Sequence, residues 1–242
     1  ELRARGVESW SAIVTPAPEM TRHYREQYAY AGPAFEHGYP RDDELVGPDV
    51  SARRAAARRL LGIGADQVAV LYAPTWREHL AFRPRGAAMT DHLDLVAAAE
   101  ALGPRYVVLL RGHRFHAPAP VVAGGARVVD VTAYPEVNDL ILAADVSVLD
   151  YSSMRFDIAL TGRPMVFLVP DLDHYARGSR RFLFPFEESA PGPLVTDTAG
   201  VVAQLLDPGL AERWAGRIAD FNARFNPWQD GRAAARVVDG LE

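Results

Sequence analysis

Three short polar stretches follow apolar runs in a way that would gather chemistry at one edge of a fold. Ala73-Pro74-Thr75-Trp76-Arg77-Glu78 follows Val68–Tyr72, Arg111-Gly112-His113-Arg114 follows Tyr106–Leu110, and Asp150-Tyr151-Ser152-Ser153 follows Val146–Leu149. Ser152 and Ser153 open a helical pattern. A helix start offers free N–H groups and a positive dipole end, which suits a phosphate; plain N-capping is the alternative reading. An arginine such as Arg111 can fork onto a diphosphate, and His113 can donate a hydrogen bond or a proton to a departing phosphate. Arg77 either joins them or pairs with Glu78 or Asp91 at the surface. Asp157, four residues after Ser153, shares its helix face. There a carboxylate can hold a ribose diol or simply answer the helix dipole. Asp171, Asp173 and His174 lack the spacing of a recognised metal frame. Arg177, Arg180 and Arg181 form a basic run suited to a polyanion or lipid headgroups.

The elements that must position these residues read as alternating strands and helices. Strands are expected at Val68–Tyr72, Tyr106–Leu110, Arg127–Val131, Val146–Leu149 and Pro164–Val169. Helices are expected from Ser51 to about Leu61, Asp91 to Leu102, Pro135 to Ala144 and Ser153 to Leu160, then over about 208–222 and 231–241. Such alternation predicts an α/β fold, a Rossmann-like doubly wound parallel sheet. In the order 3-2-1-4-5-6, the loops after the first and fourth strands flank the switch point, where open sheets bind ligands. The Pro- and Gly-rich stretch 113–126 reads as a loop, and Gly47-Pro48-Asp49 as a linker.

Composition removes several chemistries. The 242 residues contain no cysteine, which excludes disulfides, thiolate nucleophiles and zinc–sulfur sites. Every basic residue other than histidine is arginine, so neither a Walker lysine nor a Schiff-base lysine is available. Phosphate must be held by arginine, histidine, hydroxyls or backbone N–H groups. A net charge of −5 argues against general nucleic-acid binding. No apolar run approaches the roughly 20 residues that span a bilayer.

An ordered set of motifs then resembles one family. Gly38-Tyr39-Pro40-Arg41-Asp42-Asp43, Leu71 to Arg77, Leu110-Arg111-Gly112-His113, Val137-Asn138-Asp139-Leu140 and Asp150-Tyr151-Ser152-Ser153 with Phe156-Asp157 occur in that order. Gly162-Arg163-Pro164, the loop Asp171 to Gly178, Pro191-Gly192-Pro193 and Asp230-Gly231 follow. The set resembles the CDP-glycerol glycerophosphotransferases, the teichoic-acid primases and polymerases.

The resemblance implies the C-terminal, donor-binding half of a GT-B fold. Residues 1–48 are then the tail of the acceptor-side domain and a linker, 49–206 the nucleotide-donor domain, and 207–242 helices that pack back across the cleft. It implies transfer of glycerol phosphate, or a related polyol phosphate, from a CDP-activated donor to a hydroxyl of a polymer or lipid-linked acceptor. CMP is released, and neither cofactor nor metal is required. His113 and Arg111 would be catalytic, and Ser152, Ser153, Asp150, Arg77, Thr75 and Asp157 would bind the donor. Arg177, Arg180 and Arg181 would touch the acceptor or the inner face of the cell membrane. Asp42 stands where the family usually has Asn. The family's His-Gly-Thr-Pro-Leu-Lys motif, which supplies the candidate base, is expected upstream of Glu1, so this chain alone is expected to transfer little. The alternatives are a UDP-sugar GT-B glycosyltransferase or epimerase, and a non-catalytic nucleotide-binding module.

Overall fold

The computed structural model describes residues 7–75, 92–112, 121–177 and 182–241, with the side chains of 8 and 177 left aside. The chain opens with a parallel pair, β1 (Ile13–Thr15) and β2 (Ala34–Glu36), joined by α1 (Pro18–Tyr28). Pro18 suits the first turn of that helix, because its missing N–H would have had no partner there. A 3-10 turn at Pro40–Asp42 leads into α2 (Asp43–Val46).

Helix α3 (Val50–Leu60) precedes β3 (Val68–Tyr72), and α4 (Leu95–Leu102) precedes β4 (Tyr106–Leu110). Then come β5 (Arg127–Asp130), α5 (Val137–Ala143), β6 (Val146–Leu149), α6 (Met154–Ala159) and β7 (Met165–Leu168). Beyond these lie α7 (Leu172–Arg177), α8 (Phe186–Ser189), β8 (Leu194–Val195), α9 (Thr198–Leu206), α10 (Leu210–Phe225) and α11 (Ala233–Leu241).

The sheet runs β5-β4-β3-β6-β7-β8, and every neighbouring pair is parallel. Its first five strands take the Rossmann-like order considered from the sequence, with the switch between β3 and β6, and β8 adds a sixth strand at the edge. Alternate strand residues feed two cores, as the two-residue period demands. Leu71, Leu109, Leu149 and Phe167 pack with Ala57, Leu140 and Ile158 on one face. Val70, Val108, Val148 and Val166 pack with Ala98, Ala99 and Val201 on the other. Burial on both faces explains why these strands read as unbroken apolar runs.

Arginines close the carbonyl end of α5. Arg54 donates to the carbonyls of Leu142 (2.6 Å) and Ala144 (2.9 Å), and Arg163 donates to the same two oxygens. Arg54 and Arg58 also pair with Asp145, whose carboxylate accepts from Ala69 N at 2.8 Å. Cations at a helix C-terminus meet carbonyls left without intrahelical partners. Burial opposes ionisation of Asp145, but the bonds from Ala69 N, Arg58 and Arg54 hold its pKa below the usual value.

Some boundaries differ from the sequence expectation. The helix expected from Asp91 starts at Leu95, because Asp94 caps it through bonds from Val96 N and Ala97 N. Asp91 itself lies outside the described residues. The segment after Asp171, read as loop, is helical over Leu172–Arg177. Helix α9, capped by Asp197, and strand β8 had no sequence expectation. Gly192 of the Pro-Gly-Pro motif crosses the β7 backbone so closely that a Cβ would sit 2.0 Å from Met165 O. Only glycine fits there.

Candidate active site

The ends of β3 and β6 meet at the switch point of the sheet. Tyr72 is level with Leu110 on one side and Val148 on the other, so Thr75, Arg111 and Asp150 leave the sheet at one edge. Asp150 is 5% exposed, and its carboxylate accepts from Thr75 N at 2.9 and 3.0 Å and from Thr75 Oγ1. These two residues therefore lock the strand ends together. Arg111 reaches sideways, donating from Nη1 to Tyr134 O at 2.9 Å, while Gly112 N donates to Thr132 Oγ1 at 3.0 Å. Arg111 thus braces the loop after β5 at the site's margin.

Ser152 Oγ accepts from Met154 N at 3.2 Å, which is the capping role weighed from sequence. Ser153 makes no side-chain cap bond and lines the cleft beside Tyr151. Tyr151 stacks on Tyr175 with ring centroids 4.0 Å apart and donates its hydroxyl to Asp171 at 2.8 Å. This stack seats α7 against the start of α6.

Asp157 meets the 40–42 turn. It accepts from Arg41 Nη2 at 2.9 Å, and the Arg41 guanidinium lies 4.2 Å over the Tyr39 ring. Asp42, 3% exposed, lies in the same cluster with Arg41 Nε at 3.4 Å. Burial and the neighbouring Asp157 carboxylate push the Asp42 pKa up to about 7. Tyr39 and Tyr24 share a hydroxyl–hydroxyl bond of 2.9 Å, and burial raises the Tyr39 pKa.

Between these groups lies a cavity of about 500 Å³, within the size range of small-molecule sites. Pro16, Met20, Tyr24, Tyr39 and Arg41 form one wall. Tyr151, Ser153, Arg155, Phe156, Tyr175 and Phe182–Phe184 form the other, with Asn226 at the end of α10. Both the opening βαβ unit and the large sheet therefore contribute.

Of the sequence-predicted residues, the structure gathers Thr75, Asp150, Ser152, Ser153 and Asp157 around the start of α6, with Arg111 at the margin. Arg77, His113, Arg180 and Arg181 lie outside the described residues, and Arg177 is described only through its backbone. Sequence reasoning missed Tyr39, Arg41, Asp42 and Arg155. The first three sit in a motif already singled out. Arg155 carries a subtler signal, since it lies three and four residues before Ile158 and Ala159 on the buried face of α6.

The sequence profile described as "CDP-Glycerol:Poly(glycerophosphate) glycerophosphotransferase" matches residues 2–242. The chain is 32% identical over 238 residues to the teichoic acid poly(glycerol phosphate) polymerase of Bacillus subtilis (strain 168), covering 96% of this chain and 31% of that protein. It is 31% identical over 239 residues to the teichoic acid glycerol-phosphate transferase of Staphylococcus aureus (strain NCTC 8325 / PS 47), covering 97% of this chain and 61% of that protein. Among solved structures, a variant of the wall teichoic acid polymerase TagF soaked with CDPG superposes with a TM-score of 0.89 at 30% identity. That match covers 99% of this chain and 59% of the TagF chain, so the chain spans under two thirds of these relatives' lengths. With its motifs, parallel sheet and cleft in agreement, the chain belongs to the CDP-glycerol:poly(glycerophosphate) glycerophosphotransferase family.

Proposed function

We propose that the chain supplies the donor-binding part of a transferase that moves glycerol phosphate, or a related polyol phosphate, from a CDP-activated donor to a hydroxyl of a teichoic-acid-type polymer. The observation that carries this reading is the cleft between the opening βαβ unit and the start of α6, just beyond the end of β6, in a chain whose profile match spans nearly its whole length. In this reading residues 49–206 form the donor domain, and 1–48 belong to the acceptor-side domain and its linker. Residues 207–242 fold back between them, as the Arg224–Glu19 ion pair and the bonds from Ala233 N and Ala234 N to Asp43 support.

A terminal hydroxyl oxygen of the acceptor attacks the distal phosphorus, the bond to the bridging oxygen breaks, and CMP leaves with that electron pair. In this reading the base that takes the hydroxyl proton comes from the N-terminal half of the cleft. Phosphoryl transfer depends on positioning and charge stabilisation. Ser152, Ser153 and the first N–H groups of α6 hold the phosphates, while Thr75 and Asp150 fix the floor beneath them. Arg111 and His113 offset charge on departing CMP, the role a metal plays elsewhere. Arg77 supports the donor, and Arg177, Arg180 and Arg181 face the acceptor or the inner membrane surface. No described helix is long and apolar enough to cross a membrane.

Calorimetric titration of the chain with CDP, UDP and GDP tests the reading. CDP should bind most tightly, and equal or tighter binding of UDP would overturn it in favour of a UDP-sugar enzyme.

A further inference from the structure

Arg155 is the least satisfied cation of the site. It is 5% exposed, projects from α6, and lines the cleft. Its guanidinium lies 4.6 Å from the Phe186 ring centroid, 5.1 Å from Phe156 and 6.0 Å from Phe221. Among the described residues no carboxylate meets it, and its buried Nη1 has no hydrogen-bond partner. Burial lowers its pKa to about 10, which leaves it charged at neutral pH.

A buried charge without an acidic partner is costly, and ring faces supply no hydrogen-bond acceptor in the plane of the guanidinium. Other buried or half-buried arginines among the described residues are supplied with acceptors. Arg54, Arg58 and Arg163 each reach carbonyls or Asp145. Arg155 differs in lining a cavity, so an anion entering that cavity can supply the acceptor the protein withholds. A guanidinium offers phosphate two parallel donors, in a chain without lysine.

We propose that Arg155 is a phosphate-binding residue of the cleft, its rings orienting the guanidinium so that its free donors meet a substrate phosphate oxygen. The inference rests on the cleft being the substrate site. The phosphate comes either from the donor's diphosphate or from the acceptor's phosphodiester.

The test compares the chain with its Arg155→Met and Arg155→Lys variants. Inorganic pyrophosphate should raise the Tm of the parent and leave that of the Met variant nearly unmoved, through linkage. The Met variant alone should melt no lower than the parent, since it loses an uncompensated charge and keeps apolar volume. In calorimetry a loss of about tenfold or more for CDP assigns the donor diphosphate, and the same loss for a soluble glycerol-phosphate oligomer assigns the acceptor. Lys keeps the charge without the fork, so its losses should be smaller than those of Met. The proposal falls if pyrophosphate protects parent and Met variant equally, or if the affinities of a folded variant for both ligands stay within about twofold of the parent's. Should Met prevent folding, the Lys variant decides. Parent-like pyrophosphate protection and parent-like affinities overturn the proposal, and a loss in either supports it. Failure of the parent to bind CDP overturns the donor reading instead, and the pyrophosphate shift then judges Arg155 alone.

Discussion

Ser152 and Ser153 sit side by side yet do different work. Ser152 spends its oxygen on Met154 N, while Ser153 lines the cavity without a capping bond. With the first N–H groups of α6 they form the proposed seat of the donor's distal phosphate. Replacing both serines with alanine should weaken CDP binding by at least about tenfold, roughly 1.4 kcal/mol, and change CMP binding far less. Calorimetry on the double variant checks this, and equal losses for the two nucleotides would move the serines away from the distal phosphate. The serines were legible in the sequence because a strand's apolar run ends two residues before them and a helical pattern begins at them. Asp150 and Thr75 were legible as positions but not as a pair, since their bond joins residues 75 apart in the chain. The spacing of Arg155 to Ile158 and Ala159 signals its buried face, but its partners were illegible for a similar reason. Its aromatic surroundings come partly from α8 and α10, and nothing local to Met154-Arg155-Phe156 announces Phe186 or Phe221.

At the scale of elements, β3 and β6 are stitched at both ends by carboxylates that flank β6. Asp145 takes Ala69 N near the start of the pair, and Asp150 takes Thr75 N beyond its end. The parallel, Rossmann-like class of the sheet followed from alternating apolar runs and right-handed crossovers. Helix α9 went unread because its apolar Val201 and Leu205 face the sheet from a short stretch whose start depends on a single Asp197 cap. The turn at 40–42 meets α6 through Asp42, Arg41 and Asp157, and that contact should be pH-dependent. The pKa of Asp42 is raised to about 7 from its ordinary 3.8 by burial and by Asp157. Between those values the folded chain holds a proton that the unfolded chain has released, so stability falls as pH rises through the interval and then levels. Asp42→Asn keeps the shape and removes the titration. Thermal melts should show the variant matching the parent near pH 4 and exceeding it near pH 8. A parent whose Tm advantage over the variant grows with pH would show instead that ionised Asp42 stabilises the turn through Arg41.

Across the whole molecule, charge is arranged against its average. A chain of net charge −5 is proposed to handle a polyanion, so attraction must come from local fields rather than from the total. Many arginines are committed internally: Arg54, Arg58 and Arg163 to the end of α5, Arg224 to Glu19, and Arg236 to Asp230 and His37 O. Gln229 and Ala233 N bond Asp43 across nearly two hundred residues, so the last helices hold the opening unit to the sheet. Sequence reading placed those helices but not their partners, which only the closed fold brings near. The run Arg177, Arg180 and Arg181 places three cations within five residues, beginning at the last residue of the helix that packs against Tyr151. Each exposed arginine near an anionic surface adds about 1 kcal/mol of attraction, and salt screens it. Replacing all three with glutamine in the full-length enzyme should weaken binding to polymer or to anionic liposomes, chiefly at low salt, and leave CDP affinity unchanged. The competing assignment is that the run braces the donor pocket, because α7 leans on the start of α6. CDP titration of the triple variant separates the two. A loss of about tenfold, roughly 1.4 kcal/mol, would place the run in the donor pocket, whereas unchanged CDP binding with weakened liposome or polymer binding assigns it to the acceptor side.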